Sequence, residues 1–324
     1  MPRRTLALPA VLLLTVLAAC GSGGEEQDTS AGDSYPVRVR NCGAEVSFDT
    51  APERVVMLKS SAVPYLHTLG VLDHVVARAG EYPAEYYDQQ TLAELDEIPV
   101  LTDELDTSGH LQISREAVVG QNPDLVLGEV DNLPRASLEA VGTPLLEEPA
   151  MCGEGIADPG FDDIYSQLEM YGKVFDRSDR ATRAVADLKE RVADLRDRAV
   201  GEGRTAAVLY PTVGGGTTFA YGTKSMAHPQ LEAAGFDNVF ADVDERVFEV
   251  TLEQILDHDP DVIVLLHSEG KPGPVKQALT DLPGADRLTA VRNGDVMTQL
   301  FNFTEPPTAL TVDGLERIIE RFEQ

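Results

Sequence analysis

The chain has 324 residues, a length that suits two compact units better than one minimal domain. Its hydrophobic share of 43% is enough to form sizeable cores, so the composition excludes a disordered protein. The 55 acidic against 26 basic residues give a formal net charge of −29, which argues against a nucleic-acid-binding surface because such a surface needs Lys and Arg to displace phosphate counterions.

The amino terminus has the pattern of a bacterial secretion signal. Arg3 and Arg4 precede an apolar stretch over residues 6–19, and its 14 residues fall short of the roughly 20 that span a bilayer. The stretch ends in the sequence LAAC at Cys20, which resembles the lipobox, a motif whose Cys is acylated before the signal is cleaved. We therefore expect a signal peptide over residues 1–19 and a diacylglycerol anchor on Cys20. The alternative is an ordinary signal peptide that happens to be followed by a Cys.

Residues 20–35 are expected to form a flexible tether between this anchor and the folded body. Between positions 21 and 34 no apolar side chain is larger than that of Ala, and Gly and Ser are frequent. An anionic membrane surface would repel so acidic a chain, so the lipid is expected to be its only membrane attachment. These features predict a protein held at the extracytoplasmic face of the bacterial cell membrane.

The remaining cysteines fit that oxidising location. If Cys20 is acylated, Cys42 and Cys152 are left as an even pair, and we expect them to form a disulfide. Two free thiols are the alternative. A zinc or redox site is disfavoured because the two residues lie far apart and neither belongs to a CxxC motif.

Downstream of the tether, strand and helix patterns alternate. Residues 37–40 and 45–48 alternate in polarity, as in a small β-hairpin. Further strands are predicted over residues 54–58, 75–77 and 125–127, and helices over residues 63–69 and 114–121. This alternation is typical of parallel βα units.

The second half of the chain repeats the pattern. Residues 113–127 and 250–264 match at a constant offset of 137: a Ser or Thr that can cap a helix, a Glu two residues later, and a Pro-Asp pair before a buried strand. Residues 66–70 and 231–235 match at an offset of 165, and the difference of 28 corresponds to an acidic segment near residues 81–110. We interpret this as two related α/β lobes, the first with an insertion. The alternative is that helix–Pro-Asp–strand is a frequent idiom of α/β proteins.

A long helix is predicted between the two lobes. Over residues 179–200 the apolar side chains form one stripe, which consists of Val185, Leu188, Val192, Leu195 and Ala199. The predicted fold class is therefore α/β, with two pseudo-symmetric βα lobes joined by one long α-helix and a ligand cleft between them. The lobes are assigned to residues 36–160 and 203–324, and the helical linker to residues 161–202. So stiff a connection permits only small rocking of the lobes.

The chemistry of the cleft is predicted from the rule that open α/β sheets bind ligands beyond the carboxyl ends of their strands. No nucleophile elbow, P-loop, HExxH or CxxC motif is present, and the six His are scattered, so we predict no catalytic residue, no metal site and no cofactor. Side chains that can contact a ligand with oxygen donors follow the predicted strands. The candidates are Lys59, Ser60, Tyr82, Glu129, Tyr210, Tyr221, Lys224, His267, Phe301 and Phe303.

Several short motifs resemble one known family. They are NCG at residues 41–43, APERVV at 51–56, LGVLD at 69–73, and the repeated PDLV at 123–126 and PDVI at 260–263. Together with the lobe–helix–lobe plan, they resemble the helical-backbone substrate-binding proteins of ABC importers over roughly residues 36–322. The resemblance implies a monomeric receptor for ferric siderophores, haem or cobalamin, with an ABC permease and its ATPase as partners.

In this family one Glu on each lobe docks onto Arg residues of the permease, and the matching positions here are Glu116 and Glu253. From the residues alone, both carboxylates could equally serve to complement a helix dipole. The function expected is a lipid-anchored receptor for a ferric siderophore, a choice that rests mainly on the frequency of that ligand in the family. The alternatives are cobalamin, haem or another cofactor-like ligand, and, less favoured, a secreted hydrolase or a structural lipoprotein.

Overall fold

The computed structural model describes Met1 and residues 35–106, 110–268 and 271–323. The expected signal peptide, the acylated Cys20 and the tether up to residue 34 lie outside the described residues. Within the described ranges, no helix combines the length and the apolar character needed to cross a membrane.

Twelve strands occur in the described ranges. They are β1 Val37–Asn41, β2 Ala44–Phe48, β3 Val55–Met57, β4 Val75–Arg78, β5 Leu125–Leu127, β6 Leu145–Leu146, β7 Thr205–Pro211, β8 Thr218–Tyr221, β9 Asp237–Asn238, β10 Val247–Val250, β11 Val262–His267 and β12 Val296–Leu300.

Eleven α-helices occur in the same ranges, together with several short 3₁₀ turns. They are α1 Val63–Leu69, α2 Gln89–Asp96, α3 Arg115–Val119, α4 Arg135–Glu139, α5 Phe161–Val174, α6 Ser178–Asp197, α7 Ala227–Ala233, α8 Leu252–His258, α9 Pro272–Thr280, α10 Thr289–Asn293 and α11 Ala309–Phe322. The α/β class is therefore confirmed, with element boundaries that differ from the predicted ones by a few residues.

The sheets of the two lobes share one arrangement. In the first lobe β4, β3, β5 and β6 lie side by side in that order, and all are parallel. In the second lobe β9, β7, β11 and β12 are likewise parallel neighbours in the corresponding order. The second sheet also has the antiparallel strands β8 and β10, which the sequence pattern did not predict. A shared four-strand order is what an internal duplication is expected to leave.

The repeated Pro-Asp pair has a structural reason. The Asp124 carboxylate accepts hydrogen bonds from the backbone N–H groups of Glu53 and Arg54, at 2.8 and 2.9 Å, where β3 begins. In the second lobe the Asp261 carboxylate accepts from the backbone N–H and the hydroxyl of Thr205, at 2.9 and 3.0 Å, where β7 begins. Each aspartate thus ties the start of a strand to its parallel neighbour.

Both sheets are covered on both faces, as parallel sheets require. Val55 and Met57 of β3 belong to a core shared with α1, α5 and α6, whereas Val56 between them belongs to a separate cluster on the opposite face. The shared core continues through Val208 of β7 and Ile318 of α11 in the second lobe. The two lobes therefore have one continuous hydrophobic core behind their sheets.

The long helix is α6, whose 20 residues give a rod of about 30 Å. Val185, Val192 and Leu195 of the predicted stripe are buried, and Leu188 packs partly buried against the same core. The helix ends at Asp197, earlier than predicted. Arg191 fixes α6 to α11 through ion pairs of 2.6 Å with Asp313 and Glu316.

The predicted disulfide between Cys42 and Cys152 is confirmed, with the two Cα atoms 5.1 Å apart. Cys42 lies in the turn between β1 and β2, and Cys152 follows β6 and a short 3₁₀ turn. The bond therefore ties the amino-terminal hairpin to the edge of the first sheet.

Candidate functional site

A cavity of about 560 Å³ lies between the lobes, beyond the carboxyl ends of β3, β5, β11 and β12. Its lining includes Lys59, Ser60, Glu81, Tyr86, His110, Glu129, Asp131 and Met151 from the first lobe, and Arg246, Ser268, Phe301, Asn302 and Pro306 from the second. We call this cavity the interlobe cleft. A cavity of about 670 Å³ also lies beside α5 and α6, but its lining includes no residue at the end of a strand.

On the first lobe, a buried carboxylate holds the polar edge of the cleft in place. Oε2 of Glu147 accepts a hydrogen bond from the Lys59 ammonium at 2.6 Å and another from the backbone N–H of Glu129 at 2.7 Å. The Glu147 side chain is 2% exposed, whereas that of Lys59 is 34% exposed at the cleft. Residues that follow three neighbouring strands, β3, β5 and β6, therefore meet at one carboxylate.

Glu147 is itself positioned by the amino-terminal hairpin. The Asn41 side chain donates to the Glu147 carbonyl at 2.7 Å and accepts from the Glu147 N–H at 2.9 Å. Arg135 donates to the Asn41 side-chain oxygen at 2.6 Å, and its backbone N–H donates to the Glu129 carboxylate at 2.8 Å. Asn41 precedes the disulfide-bonded Cys42, so the bonded hairpin braces this edge of the cleft.

The next residue, Glu148, is also buried but has no cation of its own. Burial, and then the charge of neighbouring Glu147, raise the pKa of its carboxyl to about 8. Its side chain accepts from the Gln167 amide at 3.4 Å and interacts with the Tyr171 hydroxyl. At neutral pH this carboxyl is therefore mostly protonated. The Glu147–Glu148 pair then has a charge near −1, and not the −2 of two ionised glutamates.

The second lobe has a similar arrangement around Arg246. The guanidinium donates to the Glu305 carboxylate at 2.9 Å, and the side chains of Arg246 and Glu305 are 30% and 0% exposed. The other Glu305 oxygen accepts from the Ser225 hydroxyl at 2.5 Å and from the Met226 backbone N–H at 2.8 Å. Arg246 is therefore oriented from behind by a carboxylate whose oxygens are both hydrogen-bonded.

Aromatic and amide groups join the lobes at the cleft. The Tyr86 ring packs against Phe303 with ring centroids 5.0 Å apart, and its hydroxyl accepts from the backbone N–H of Asn302 at 2.9 Å. The Asn302 amide donates to the Ser60 hydroxyl at 3.1 Å. Phe301 adds an aromatic face at the same point, with Tyr210 6.2 Å from it. These contacts connect the lobes directly, apart from the helices behind them.

Four of the ten candidate side chains line the interlobe cleft: Lys59, Ser60, Glu129 and Phe301. Three others lie beside it. Tyr82 lines an adjoining groove and donates to the Met57 carbonyl at 3.2 Å. Tyr210 contacts Ser268 and Phe301, and His267 is the buried residue before Ser268.

The other three candidates lie apart from the lining. Tyr221 is 3% exposed and Phe303 is 2% exposed, and both pack in hydrophobic clusters. Lys224 forms an ion pair of 2.9 Å with Asp244. As contacts to a ligand, all ten residues stay predictions.

Several residues that line the cleft or support it from behind escaped the rule that selected these candidates. Arg246 precedes β10 rather than following a strand, and Tyr86 lies in a short 3₁₀ turn inside the acidic segment near residues 81–110. Glu147 does follow β6, but that two-residue strand has no recognisable sequence pattern. Glu305 could not be found at all from local sequence, because its partner Arg246 is 59 residues away.

Glu116 and Glu253, the two residues at the repeated helix starts, occupy equivalent positions. Each is the second residue of its helix, α3 or α8, after a Ser or Thr whose side chain caps the amino terminus. Both glutamates are exposed. In the described part of the chain, no group of three or more His, Cys, Asp or Glu side chains is arranged to hold a metal ion.

Comparison with known proteins points to one family. A sequence model described as "Periplasmic binding protein" matches residues 55–299. Among curated proteins, a cobalamin-binding protein of Halobacterium salinarum is 26% identical over an alignment of 333 residues, which covers 98% of this chain and 84% of that protein.

Solved structures show the same fold. One match is the crystal structure of an ABC-type Fe3+-hydroxamate transport system from Saccharomonospora viridis, whose sequence is 59% identical and whose TM-score is 0.85. The alignment covers 90% of this chain and 100% of the matched chain. A periplasmic haem-binding protein from Pseudomonas aeruginosa is 19% identical in sequence, with a TM-score of 0.67. The alignment covers 84% of this chain and 92% of the matched chain.

Proposed function

The chain belongs to the periplasmic binding protein family of ABC-transporter substrate-binding proteins, and from that premise we propose that it captures a ferric hydroxamate siderophore in the interlobe cleft. It then delivers this ligand, as a monomeric receptor without catalytic activity of its own, to an ABC permease and its ATPase. The choice of ligand is supported by the relative of 59% identity, whose description names Fe3+-hydroxamate transport.

The observation that carries this proposal is the pair of cationic donors facing the cleft from opposite lobes. Lys59 and Arg246 are each held by a buried carboxylate and each remain about one-third exposed at the cavity. A ferric hydroxamate presents carbonyl and N–O oxygens around the metal, and these accept hydrogen bonds from an ammonium or a guanidinium. Phe301 and Tyr86 offer apolar faces to the methylene chains of the chelator.

Ligand titration tests the proposal. The chain has nine Tyr and no Trp, so tyrosine fluorescence reports on the cleft, and calorimetry checks each result independently. We expect ferric hydroxamates to bind with a Kd below about 10 μM. Their iron-free forms, ferric citrate and haem should bind more weakly. If no ferric hydroxamate binds in this range, the proposed ligand is wrong.

Cobalamin is the second candidate, because the curated relative that aligns with nearly the whole chain is a cobalamin-binding protein. Cyanocobalamin therefore belongs in the same titration. Tight binding of cyanocobalamin without binding of ferric hydroxamates would replace the iron ligand with cobalamin while keeping the receptor function.

Two further elements of the proposal come from sequence. Glu116 and Glu253 dock onto the permease, one from each lobe, and the matched positions of these exposed carboxylates support this role. Cys20 bears the lipid that holds the receptor at the membrane. Mass spectrometry of the mature protein from membranes checks this: a chain that begins at an acylated Cys20 is expected, and an unmodified Cys20 would contradict the anchor.

A further inference from the structure

The two cations of the interlobe cleft are each paired with a buried carboxylate. Among the described residues that line the cleft, Lys59 and Arg246 are the Lys and Arg side chains, and each is paired with a carboxylate that is 2% exposed or less. Neither carboxylate, Glu147 or Glu305, lines the cavity itself. Each lobe therefore supplies a hydrogen-bond donor whose positive charge is already compensated from behind.

Three more carboxylates, those of Glu81, Glu129 and Asp131, line the cleft directly. Asp131 has His110 beside it, with 2.9 Å between Oδ2 and Nδ1, and Glu129 accepts from the backbone of Arg135. Since the charges of Lys59 and Arg246 are compensated, these carboxylates set the sign of the remaining charge. Counted together with the buried Glu147 and Glu305, the described carboxylates of the cleft outnumber its Lys and Arg side chains by five to two, so its formal charge is negative although two cations face it.

We infer that the interlobe cleft selects its ligand by charge, so that a cationic ferric hydroxamate binds better than a neutral one and an anionic one is rejected, with Glu147 and Glu305 as the specificity-determining residues. This inference rests on the proposed function, because it concerns the same cleft and the same class of ligand. It goes further in assigning a net charge to the ligand and in giving a role to two residues that do not touch it.

The expected preference arises because Lys59 and Arg246 can still donate hydrogen bonds to a ligand although their positive charge is compensated. Lys59 and Arg246 can still donate to ligand oxygens, because each uses only part of its donors on its carboxylate. An anionic ligand would lose its hydration and meet no uncompensated positive charge in return. At separations of roughly 10 Å and an effective dielectric constant of about 20, each unit of ligand charge changes affinity on the order of tenfold.

The test uses ligands that share one ferric chelate and differ in the charge of one terminal group. Ferrioxamine B is a ferric trihydroxamate with a terminal ammonium, N-acetylation removes that charge, and N-succinylation replaces it with a carboxylate. Calorimetry on the full folded chain is expected to give affinities in the order ammonium, acetyl, succinyl, with steps of about tenfold. Equal affinities, or the reverse order, would overturn the inference while leaving the proposed function intact. Failure of all three while a neutral ferric hydroxamate of another scaffold binds would also overturn the inference, whereas failure of every ferric hydroxamate would refute the proposed function.

Two variants test whether the buried carboxylates cause this charge selectivity. Glu147→Gln and Glu305→Gln keep an acceptor oxygen for the cation but remove the compensating charge. Each is expected to narrow the ratio of ammonium to succinyl affinity by about tenfold. Glu190→Gln, an exposed change on α6, is the matched control and should leave the ratio unchanged. An unchanged ratio in both folded cleft variants would refute the role of Glu147 and Glu305.

A further variant keeps the inference testable if the buried substitutions destabilise the chain. Glu129 lines the cleft and is not fully buried, so Glu129→Gln removes one lining charge without exposing a core site. It should lower affinity for the ammonium ligand and raise it for the succinyl ligand. A parallel loss for both ligands would mean that Glu129 acts through contact and not through charge, and would contradict the inference.

Discussion

At the scale of single residues, two neighbouring glutamates show how position changes chemistry. Glu147 and Glu148 are both buried, yet Glu147 has Lys59 at 2.6 Å while Glu148 has only neutral side-chain partners, Gln167 and Tyr171. A buried carboxylate without a cation favours its protonated form, so the pKa of Glu148 rises to about 8. The pair thus combines a charged group that orients the cleft with a mostly neutral one that packs behind it.

This difference predicts how stability depends on pH. The Glu148 carboxyl has a pKa of about 8 in the folded chain and the ordinary value of 4.5 when unfolded, so between these values unfolding releases its proton. Its contribution to stability is complete below pH 4.5 and declines towards pH 8, by at most about 1.4 kcal/mol per pH unit. Glu148→Gln should remove this decline. The stability of the variant relative to the native chain should therefore rise with pH in urea unfolding experiments.

The exposed substitution Glu190→Gln is the control for this experiment, and its difference from the native chain should not vary with pH. If the curves for Glu148→Gln and the native chain run parallel from pH 5 to 8, Glu148 does not titrate in this window and the assignment fails.

At the scale of elements, the amino-terminal hairpin depends on its attachments. An isolated two-stranded hairpin is marginal in water. Here Val46 and Phe48 of β2 are buried in the shared core, Asn41 is hydrogen-bonded to Glu147, and the disulfide joins the hairpin turn to the region after β6. The hairpin is therefore part of the first lobe and braces the edge of the cleft.

The disulfide closes a loop across 110 residues of sequence, so its loss should be costly. Replacing both Cys42 and Cys152 by Ser is expected to lower the free energy of unfolding by about 3–5 kcal/mol, because the unfolded chain regains the entropy of the open loop. Urea unfolding measures this change. The native chain treated with a reducing agent should behave like the double variant. Equal stability of all three forms would show that the non-covalent contacts of the hairpin are sufficient.

At the scale of the whole molecule, the lobes are linked in two ways. Behind the sheets, α6 and α11 belong to the shared core. Within the core, Tyr65 donates to the Pro307 carbonyl of the other lobe at 3.1 Å, and at the cleft Asn302 connects to Tyr86 and Ser60. Opening the cleft widely would break these contacts and disturb the core together. We therefore expect binding to a largely preformed site with little closure.

The proposed docking to a permease is a property of the whole molecule, since it would need both lobes at a fixed separation. Charge reversal by Glu116→Lys and Glu253→Lys together should reduce uptake of the ligand by about tenfold or more, because like charges would face each other at the docking surface. Calorimetry should give a ligand affinity within about twofold of the native value, as neither residue lines the cleft.

The matched control reverses two other exposed glutamates, Glu190 on α6 and Glu232 on α7, and should leave uptake unchanged. Normal uptake by the Glu116 and Glu253 double variant would remove these residues from the docking surface. An equal loss in both double variants would point to total charge and not to specific docking.

The sequence by itself determined the parts of this protein that depend on local pattern. The Pro-Asp repeat and the apolar stripe of α6 predicted the lobes and the long helix, because both depend on spacing along the chain. The cysteine count predicted the disulfide, because an even pair remains once Cys20 is set aside. The same reasoning placed Lys59, Ser60, Glu129 and Phe301 at the cleft, since they follow strands.

Only the tertiary structure decided which side chains meet. Lys59 and Glu147 are 88 residues apart, and Arg246 and Glu305 are 59 residues apart, so no local pattern connects either pair. Tyr221 and Phe303 also could not be placed from local sequence. An aromatic side chain at the end of a strand can face a ligand or the core, and in the folded chain both of these are buried. The charge of the cleft arises from such long-range pairings, and therefore the tertiary structure sets the selectivity that we infer.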